Sequence, residues 1–283
     1  MNNRKKAQRG RVSIFLTALL LAGTFALTGC SQTKSADDEK KDAKTEEKKE
    51  VTKKAWDSTY PEIEIETELE CNDFWQLVVD DITEKYSTDR KGEVIFYGAS
   101  NFSLWSSLDD DMAAYKVQNH GFGGSIDVEL VGYADQLLFP YEPSIVFFQT
   151  GSNDYVKLEG TDQEKIEKCM AYKKQMFEAF HKQLPDAKFV IMSGLLLPGR
   201  AEYLELTLEI NRQLEQLAEE TDYLYYVDAN AMTYDGTDFD RSLFVEDGIH
   251  LNHEGQMRWY NEYIQPMMER VISENGLESV RNN

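Results

Sequence analysis

Short, continuous runs of apolar residues alternate along most of the chain with longer segments whose apolar residues recur every three or four positions. The short runs are typical of strands that are buried on both faces, and the longer segments are typical of helices with one buried side. The predicted strands cover residues 94–96, 117–119, 145–148, 189–192 and 224–227, of which 117–119 has the weakest pattern.

The predicted helices lie before and between these strands. Residues 72–86 form the first of them, with an apolar side made of Phe74, Leu77, Val78 and Ile82. Thr161 and Glu164 have the spacing of a capping box, and Pro185 would end the helix that they open. Further helices are expected between an N-cap at Ser125 and Phe139, over 206–217, and over 259–271.

Strands and helices that alternate in this way form a parallel sheet with helices on both of its faces. The sequence therefore predicts an α/β protein with a three-layer α/β/α, flavodoxin-like fold. In an open parallel sheet, ligands bind beyond the carboxyl ends of the strands. We therefore expect the functional residues in the loops that follow the strands.

The N-terminal segment has the pattern of an export signal. Basic residues precede an apolar stretch at 12–27, which is too short for a comfortable membrane span. The stretch ends in Leu27-Thr28-Gly29-Cys30, which resembles a bacterial lipobox. The resemblance implies cleavage before Cys30 and lipidation of its thiol. An ordinary signal peptide or an uncleaved anchor is the alternative.

The next segment is rich in Lys, Glu and Asp and cannot bury enough apolar surface to fold alone. We interpret it as a flexible tether, with a solvated helix as the alternative. The predicted organisation is a lipoprotein signal peptide at 1–29, a lipid-anchored charged linker at 30–55, and a globular domain with an N-terminal helical extension at 56–283.

The acidic net charge of the chain limits which macromolecules and membrane surfaces it is expected to bind. The chain has 30 basic and 51 acidic residues, and loss of residues 1–29 would leave 25 basic residues against 51 acidic ones. Such a surface repels phosphate backbones and anionic headgroups, so nucleic acid is not an expected partner. Attachment to the cell membrane, on its extracytoplasmic face, would come from the lipid on Cys30.

Two cysteines remain after Cys30. Cys71 and Cys169 lack the spacing of metal ligands, and an exported protein permits a disulfide between them. Cys169 lies on the apolar side of a predicted helix, which slightly favours a buried free thiol. The sequence leaves both possibilities open.

Residues that suit acyl transfer follow the predicted strands. Ser100 follows the first strand, Gly124 the second and Asn153 the third, while Asp247 and His250 share the loop before the last helix. The carboxyl ends of parallel strands meet at one edge, so these residues are expected to converge. Taken singly, each could instead be an ordinary turn or helix-cap residue.

The segments FYGAS (96–100), NHGFGGS (119–125), TGSND (150–154) and DGIHL (247–251) resemble, in order and spacing, those of the SGNH, or GDSL-type, hydrolases. This resemblance implies that Ser100 is the nucleophile and that Asp247 and His250 complete a triad. It further implies an oxyanion hole formed by the Ser100 and Gly124 N–H groups and the Asn153 amide. Neither a metal nor a cofactor is implied.

The sequence departs from the family pattern at Ala99, which replaces the aspartate of Gly-Asp-Ser. That aspartate is not the base, so the chemistry does not depend on it, but the local geometry of the serine does. The stretch from Gly98 to Trp105 is similar to a Gly-x-Ser branch that includes platelet-activating-factor acetylhydrolase-like esterases.

The four histidines offer a rival interpretation. His250 and His253, with Asp247, could be ligands of a metal-dependent hydrolase, although no further His or Cys cluster completes the set. His120 could line the cleft or form a structural hydrogen bond. A surface-binding lipoprotein with an inactive site is a third possibility, suggested by Ala99.

The favoured interpretation is a lipid-anchored, extracytoplasmic serine esterase. Its expected substrates are short-chain acyl esters, O-acetyl groups above all, on a small molecule or a polysaccharide. Residues 195–200 follow the fourth strand and could form a wall of the acyl pocket, or simply an apolar connection.

Overall fold

The computed structural model describes residues 59–282, which contain a parallel sheet of five strands. The strands are β1 (Val94–Gly98), β2 (Val117–Gly121), β3 (Ile145–Gln149), β4 (Lys188–Met192) and β5 (Leu224–Val227). The α-helices are α1 (Gln76–Lys85), α2 (Ser100–Ser103), α3 (Leu108–Asp111), α4 (Asp127–Leu137), α5 (Ser152–Lys157), α6 (Asp162–Gln183), α7 (Leu204–Glu219), α8 (Asn230–Thr233), α9 (His253–Trp259) and α10 (Gln265–Asn275). Short 3₁₀ turns lie at Asp73–Trp75, Phe139–Tyr141, Pro198–Tyr203, Arg241–Leu243 and Glu278–Val280.

The sheet has the strand order β2-β1-β3-β4-β5, and all of its neighbouring strands are parallel. This is the flavodoxin-like order, so the predicted α/β class is confirmed. The chain runs outward from β1 to β2 and then returns to place β3 on the other side of β1. The carboxyl ends of β1 and β3 therefore flank the point where the direction of winding reverses.

The core has two parts, one on each face of the sheet. Ile95 and Tyr97 point into the part that contains buried residues of α1, α4, α6 and α7. Val94 and Phe96 point into the part that contains residues of α2, α3, α9 and α10. Burial of each large apolar side chain contributes roughly 1.5–3 kcal/mol. Helices on both faces give the three layers that the sequence predicted.

Helix α6 begins and ends as its sequence predicts. The Thr161 side chain accepts a hydrogen bond from the Glu164 N–H at 3.3 Å, and Glu164 accepts one from the Thr161 N–H at 2.7 Å. The helix ends at Gln183, just before Pro185. These reciprocal bonds satisfy two of the donors that a helix N-terminus leaves without an intrahelical partner.

The first helix differs from the prediction. A 3₁₀ turn at Asp73–Trp75 precedes α1, and the buried side of α1 is formed by Val79 and Ile82. Phe74 and Leu77 are instead 74% and 77% exposed. Ile82 is buried and Val78 packs against the core, so this half of the predicted side is confirmed. The first half is wrong, because the tighter turn changes the angular register of the residues before α1.

Two further helix boundaries also differ. Helix α4 begins one residue later than expected, with Ile126 as its N-cap, and its Ile126 N–H bonds to Glu129 at 3.1 Å. The predicted closing helix begins earlier, at α9, and passes through a π-helical turn at Tyr260–Ile264 before α10. Pro266 follows that turn and has no N–H to donate, which favours irregular bonding there.

The predicted signal peptide, Cys30 and the charged linker all lie outside the described residues. Within residues 59–282, no helix is both long enough and apolar enough to cross a lipid bilayer. Cys71 is buried, and its sulfur packs against Gly132. A Cβ on Gly132 would stand only 2.3 Å from that sulfur. Cys169 is a buried free thiol, as its place on the apolar side of α6 suggested.

His120 is a buried structural residue of β2. Its Nδ1 lies 2.6 Å from the Leu137 carbonyl oxygen and its Nε2 lies 3.2 Å from Gln118 Oε1. The ring is completely buried, and this burial lowers the pKa of His120 to about 4. The structural alternative that the sequence left open for His120 is therefore the one that the fold adopts.

We expect the free energy of unfolding to decrease as the pH falls from about 6.5, the ordinary pKa of histidine, to about 4. In this window the unfolded chain binds a proton on His120 and the folded chain does not, so protons favour unfolding. The contribution amounts to about 3 kcal/mol. Urea unfolding at pH 7 and pH 4.5 should show a smaller loss of stability in His120→Gln than in the unmutated chain.

The control is His253→Gln, because the His253 side chain is 63% exposed. This variant should keep the pH dependence of the unmutated chain. Equal losses of stability in His120→Gln and the unmutated chain would show that His120 does not carry the effect.

Candidate active site

The backbone at the end of β1 places Ser100 at the sheet edge. A Cβ on Gly98 would stand 2.2 Å from the Gln149 carbonyl oxygen on β3, so only glycine permits this approach. The Ala99 N–H donates to the same oxygen at 3.0 Å. The chain then turns, and Ser100 becomes the first residue of α2. Its hydroxyl consequently lies beyond the strand and close to a helix N-terminus.

A chain of hydrogen bonds connects Ser100 with the loop before α9. His250 Nε2 lies 2.9 Å from Ser100 Oγ, and His250 Nδ1 lies 2.6 Å from Asp247 Oδ2. Both distances suit a neutral imidazole that donates through Nδ1 and accepts the serine hydroxyl through Nε2. The structure thus brings together the three residues that the family resemblance assigned to a triad.

Backbone N–H groups hold the Asp247 carboxylate. Its Oδ1 accepts from the Ile249 N–H at 2.8 Å and from the His250 N–H at 3.0 Å. Partial burial acts to raise the pKa of Asp247, but these two bonds and the His250 ring outweigh it and hold the pKa below its ordinary value. The carboxylate therefore stays charged and can orient and stabilise a protonated imidazole.

The loop that carries Asp247 and His250 is held on two sides. Gly248 has a positive φ of 66° and its carbonyl accepts from the Gly199 N–H at 2.8 Å. On the other side, Asn101 of α2 accepts a hydrogen bond from the Leu251 N–H at 3.2 Å. These bonds tie the loop to the connection after β4 and to the helix that starts with Ser100.

Gly123 and Gly124 form a turn directly against the serine. A Cβ on Gly123 would lie 3.3 Å from Ser103 Oγ and 3.9 Å from Ser100 Cβ. Gly124 has a φ of 77°, and the ring of Trp75 lies 3.4 Å from where its Cβ would stand. Because neither residue has a side chain, the backbone N–H groups of the turn can approach a group bound at Ser100.

The Asn153 amide is held from both ends. Its Nδ2 donates to the Ser125 carbonyl oxygen at 3.0 Å, and its Oδ1 accepts from Arg200 Nη2 at 3.1 Å. Arg200 Nη1 also donates to Ser152 Oγ at 2.8 Å. With one Nδ2 hydrogen used, a second hydrogen remains to donate to an oxyanion.

Two residues of this site were not assigned a role there from the sequence. Arg200 was expected to be part of an acyl-pocket wall, whereas its guanidinium orients Asn153. Trp75 lay within the predicted first helix without a place on its apolar side, whereas its ring packs on Gly124 and, at 5.9 Å between centroids, on Phe122. Neither contact has a local sequence signal, because the partners are far apart along the chain.

The wall of leucines expected at 195–200 lies in the core. Leu195 and Leu197 are buried in the part of the core beneath α9 and α10. Ala99 is also buried, and α2 has no side-chain N-cap bond from it. The serine is positioned instead by the Gly98–Gln149 approach and by the Ala99 N–H.

The rival metal interpretation requires several ligands in one place. Across residues 59–282, no three His, Cys, Asp or Glu side chains are grouped as possible metal ligands. His253 begins α9, and its Nδ1 lies 3.8 Å from Asp111. His250 has both ring nitrogens directed at Asp247 and Ser100.

The arrangement contains the parts of an acyl-transfer site. A serine hydroxyl is within hydrogen-bond reach of a base, the base is oriented by a carboxylate, and the glycine turn at Gly123 lies against the serine. Such donors are most effective when they are already in place before negative charge develops. The geometry is therefore suited to attack on an ester carbonyl.

Comparison with known proteins supports this chemistry. Residues 80–258 match the GDSL-like lipase/acylhydrolase family. A search of the curated proteins found no match. Among solved structures, a Streptococcus pneumonia protein provisionally named a platelet activating factor is similar, with a TM-score of 0.57, 16% identity, and coverage of 69% of this chain and 92% of the other.

Two more solved structures are similar. A Bacteroides fragilis protein provisionally named an acylhydrolase has a TM-score of 0.58 and 16% identity, and the match covers 70% of this chain and 97% of the other. A catalytic mutant of an acetylxylan esterase from Geobacillus stearothermophilus has a TM-score of 0.48 and 18% identity, and the match covers 69% of this chain and 100% of the other. The first of these supports the same α/β fold.

We expect a fluorophosphonate probe to label the chain once, on Ser100. His250 accepts the serine proton, so His250→Ala should slow labelling strongly and Ser100→Ala should abolish it. Intact mass and peptide mapping measure both outcomes. His253→Ala is the matched control and should label at the unmutated rate, whereas equal loss in the two histidine variants would contradict the assignment of the base.

Proposed function

Because the chain belongs to the GDSL-like lipase/acylhydrolase family and is a carboxylic ester hydrolase of that type, we propose that it is a serine esterase that uses Ser100, His250 and Asp247. The observation that carries the proposal is the continuous hydrogen-bond chain. Ser100 Oγ lies 2.9 Å from His250 Nε2, and His250 Nδ1 lies 2.6 Å from Asp247 Oδ2. It supports transfer of the serine proton to a base that is already oriented.

In the first half of the reaction, Ser100 Oγ attacks the ester carbonyl carbon while His250 Nε2 takes the hydroxyl proton. The carbonyl oxygen becomes an oxyanion, which the N–H groups of Ser100 and Gly124 and the Asn153 amide would stabilise. The tetrahedral intermediate collapses, and His250 gives its proton to the departing alcohol. An acyl ester of Ser100 remains.

In the second half, a water molecule attacks the acyl-enzyme and His250 takes one of its protons. The same donors stabilise the second oxyanion. Collapse releases the carboxylic acid, and His250 returns the proton to Ser100. Asp247 stays ionised throughout and stabilises the imidazolium, in agreement with the lowered pKa of its carboxyl.

We propose short acyl esters, O-acetyl groups above all, on carbohydrate as the substrates. An open groove of about 430 Å³ is lined by Leu104, Val245 and Leu251 together with polar residues such as Ser107 and Asn252. It lies beside the base, because the Val245 N–H donates to the His250 carbonyl at 2.9 Å. Mixed apolar and hydrogen-bonding walls suit a sugar ring better than a long acyl chain.

We expect the enzyme to release acetate from acetylated oligosaccharides and to hydrolyse nitrophenyl acetate faster than esters of long acyl chains. In the same assays, Asn153→Ala should lower kcat by about 10²–10³, as loss of a side-chain oxyanion donor does elsewhere. KM should change less, because the lost bond is strongest in the transition state. Initial rates over a substrate series measure both.

A matched control is Ser106→Ala, because Ser106 is an exposed residue of the groove wall and lies outside the chain of bonds from Ser100 to Asp247. It should affect KM more than kcat. A kcat for Asn153→Ala within a few-fold of the unmutated value would reduce Asn153 to a turn residue. No hydrolysis of any ester, in a chain that also fails to react with fluorophosphonate, would favour the inactive binding protein.

We also propose that the enzyme is anchored to the extracytoplasmic face of the cell membrane through a lipid on Cys30, with residues 30–55 as the tether. The apolar stretch at 12–27 followed by Leu-Thr-Gly-Cys supports this proposal. The acidic surface would be repelled by anionic headgroups, so the lipid rather than charge would hold the protein.

We expect Cys30→Ala to prevent lipidation and to leave an unprocessed precursor or a released soluble protein. Metabolic labelling with a fatty acid, followed by membrane fractionation, measures both. Ser31→Ala, the adjacent position, serves as the control and should remain labelled and membrane-bound. A Cys30→Ala protein that still carries label in the membrane fraction would rule out this anchor.

A further inference from the structure

Three buried charged side chains meet behind the turns that carry the proposed oxyanion donors. They are Lys173 on α6, Asp127 at the start of α4, and Asp154 on α5, and each is at most 1% exposed. Lys173 Nζ lies 2.9 Å from Asp127 Oδ2 and 3.1 Å from Asp127 Oδ1. We call these three residues the buried charge cluster. The proposed proton transfers do not use any of them.

The buried charge cluster joins the two turns. Asp127 follows the turn of Gly124 by three residues, and Asp154 follows Asn153 directly. Asp154 Oδ1 accepts the Asp127 N–H at 2.9 Å, and Asp127 Oδ1 accepts the Thr150 hydroxyl at 2.8 Å. The start of α4 is therefore bonded to residues on both sides of Asn153.

Lys173 also packs directly on the turn before Asn153. Gly151 has a φ of 111°, and a Cβ there would lie 3.1 Å from both Cε and Nζ of Lys173. The lysine thus contacts the turn of β3 and α5 with its stem and the start of α4 with its ammonium group. Its position fixes how closely these two segments approach one another.

The charges of the cluster do not simply add to stability. Burial raises the pKa of Asp154 well above its ordinary value, and the neighbouring Asp127 raises it further. Burial acts to lower the pKa of Lys173, but Asp127 outweighs it and the pKa is raised. Lys173 is the one cation of the cluster, and Asp127 is the carboxylate in direct contact with it. Desolvation offsets much of the attraction in such a pair, so stability alone is a weak reason for it.

We propose that Lys173 is a positioning residue for the oxyanion hole, which it sets by holding the Gly124 turn and the Asn153 turn at a fixed separation through Asp127. This inference rests on the proposed esterase function. Direct bonds also connect these turns: Asn153 Nδ2 donates to the Ser125 carbonyl, the Asp127 N–H donates to Asp154, and the Thr150 hydroxyl donates to Asp127. One of these bonds runs through the Asp127 carboxylate, and Lys173, which pairs with that carboxylate and packs on Gly151, fixes its placement from behind both turns.

The proposal predicts a kinetic signature. Displacing a donor by about 1 Å can cost about 100-fold in rate, and the loss falls on the transition state, where the oxyanion is charged. Lys173→Met keeps the aliphatic stem and removes the ammonium group. We expect kcat to fall by roughly 10- to 100-fold, with KM changed by no more than a few-fold.

A second variant separates positioning from stability. Lys173→Met leaves Asp127 buried without a cation and should lower Tm, whereas Lys173→Met with Asp127→Asn removes both charges and should recover most of the Tm. We expect kcat to remain low in this double variant, because the ion pair that fixes the side chain of residue 127 between the two turns is still missing. If kcat recovers together with Tm, or if neither variant is folded at the assay temperature, the cluster is only structural and the proposal is wrong.

Lys168→Met is the matched control. Lys168 lies on the same helix and forms an ion pair with Glu68 at 2.8 Å, with 34% of its side chain exposed. Its kcat and KM should equal those of the unmutated chain. A fall in kcat as large as that of Lys173→Met would show that loss of any charge on α6 has the effect, and would overturn the proposal.

Coupling to Asn153 supplies the final test. If Lys173 acts through the donors, Lys173→Met should lower kcat less in an Asn153→Ala background than in the unmutated chain. If Lys173→Met lowers kcat by the same factor in both backgrounds, the proposal is overturned, while the esterase function is unaffected. Failure of the esterase function itself would show separately, as an unmutated chain that neither hydrolyses esters nor reacts with fluorophosphonate.

Discussion

The close parallel pairing of β1 with β3 is the constraint on which the site depends. At the end of this pair, Gly98 approaches the Gln149 carbonyl so closely that a Cβ would stand 2.2 Å from it. The chain reverses its direction of winding between these strands, so Ser100 and Asn153 leave the sheet side by side. Any side chain at Gly98 would separate the strands and, with them, the nucleophile and a donor.

Polar contacts, rather than apolar packing, give the site its geometry. The Asp247 carboxylate accepts two backbone N–H groups, the Gly199 N–H holds the Gly248 carbonyl, and Arg200 holds the Asn153 amide. Each such bond is worth only about 0.5–1.5 kcal/mol net, or somewhat more where a charge takes part. Their combined effect is to place donors and base before any substrate binds, which is the condition for electrostatic catalysis.

Two positive charges stand out in a chain with a formal charge of −21. Arg200 contacts the oxygen of the Asn153 amide, and Lys173 pairs with Asp127 behind the same turn. Arg200 holds the Asn153 amide, Lys173 is proposed to position the same turn, and the acidic composition of the chain repels polyanions. A neutral ester is the substrate best matched to this distribution of charge.

The sequence by itself determined the strands, the layer architecture and the order of the site segments, because buried strands and amphipathic helices carry local periodic patterns. It placed Ile82 and Val78 against the core but did not determine that Phe74 and Leu77 are exposed, because packing against α4 buries Val79 instead. Nor did it assign Arg200 or Lys173, whose partners lie 47 and 46 positions away. Such contacts depend on which helices and loops become neighbours in the folded chain, and no local pattern encodes that.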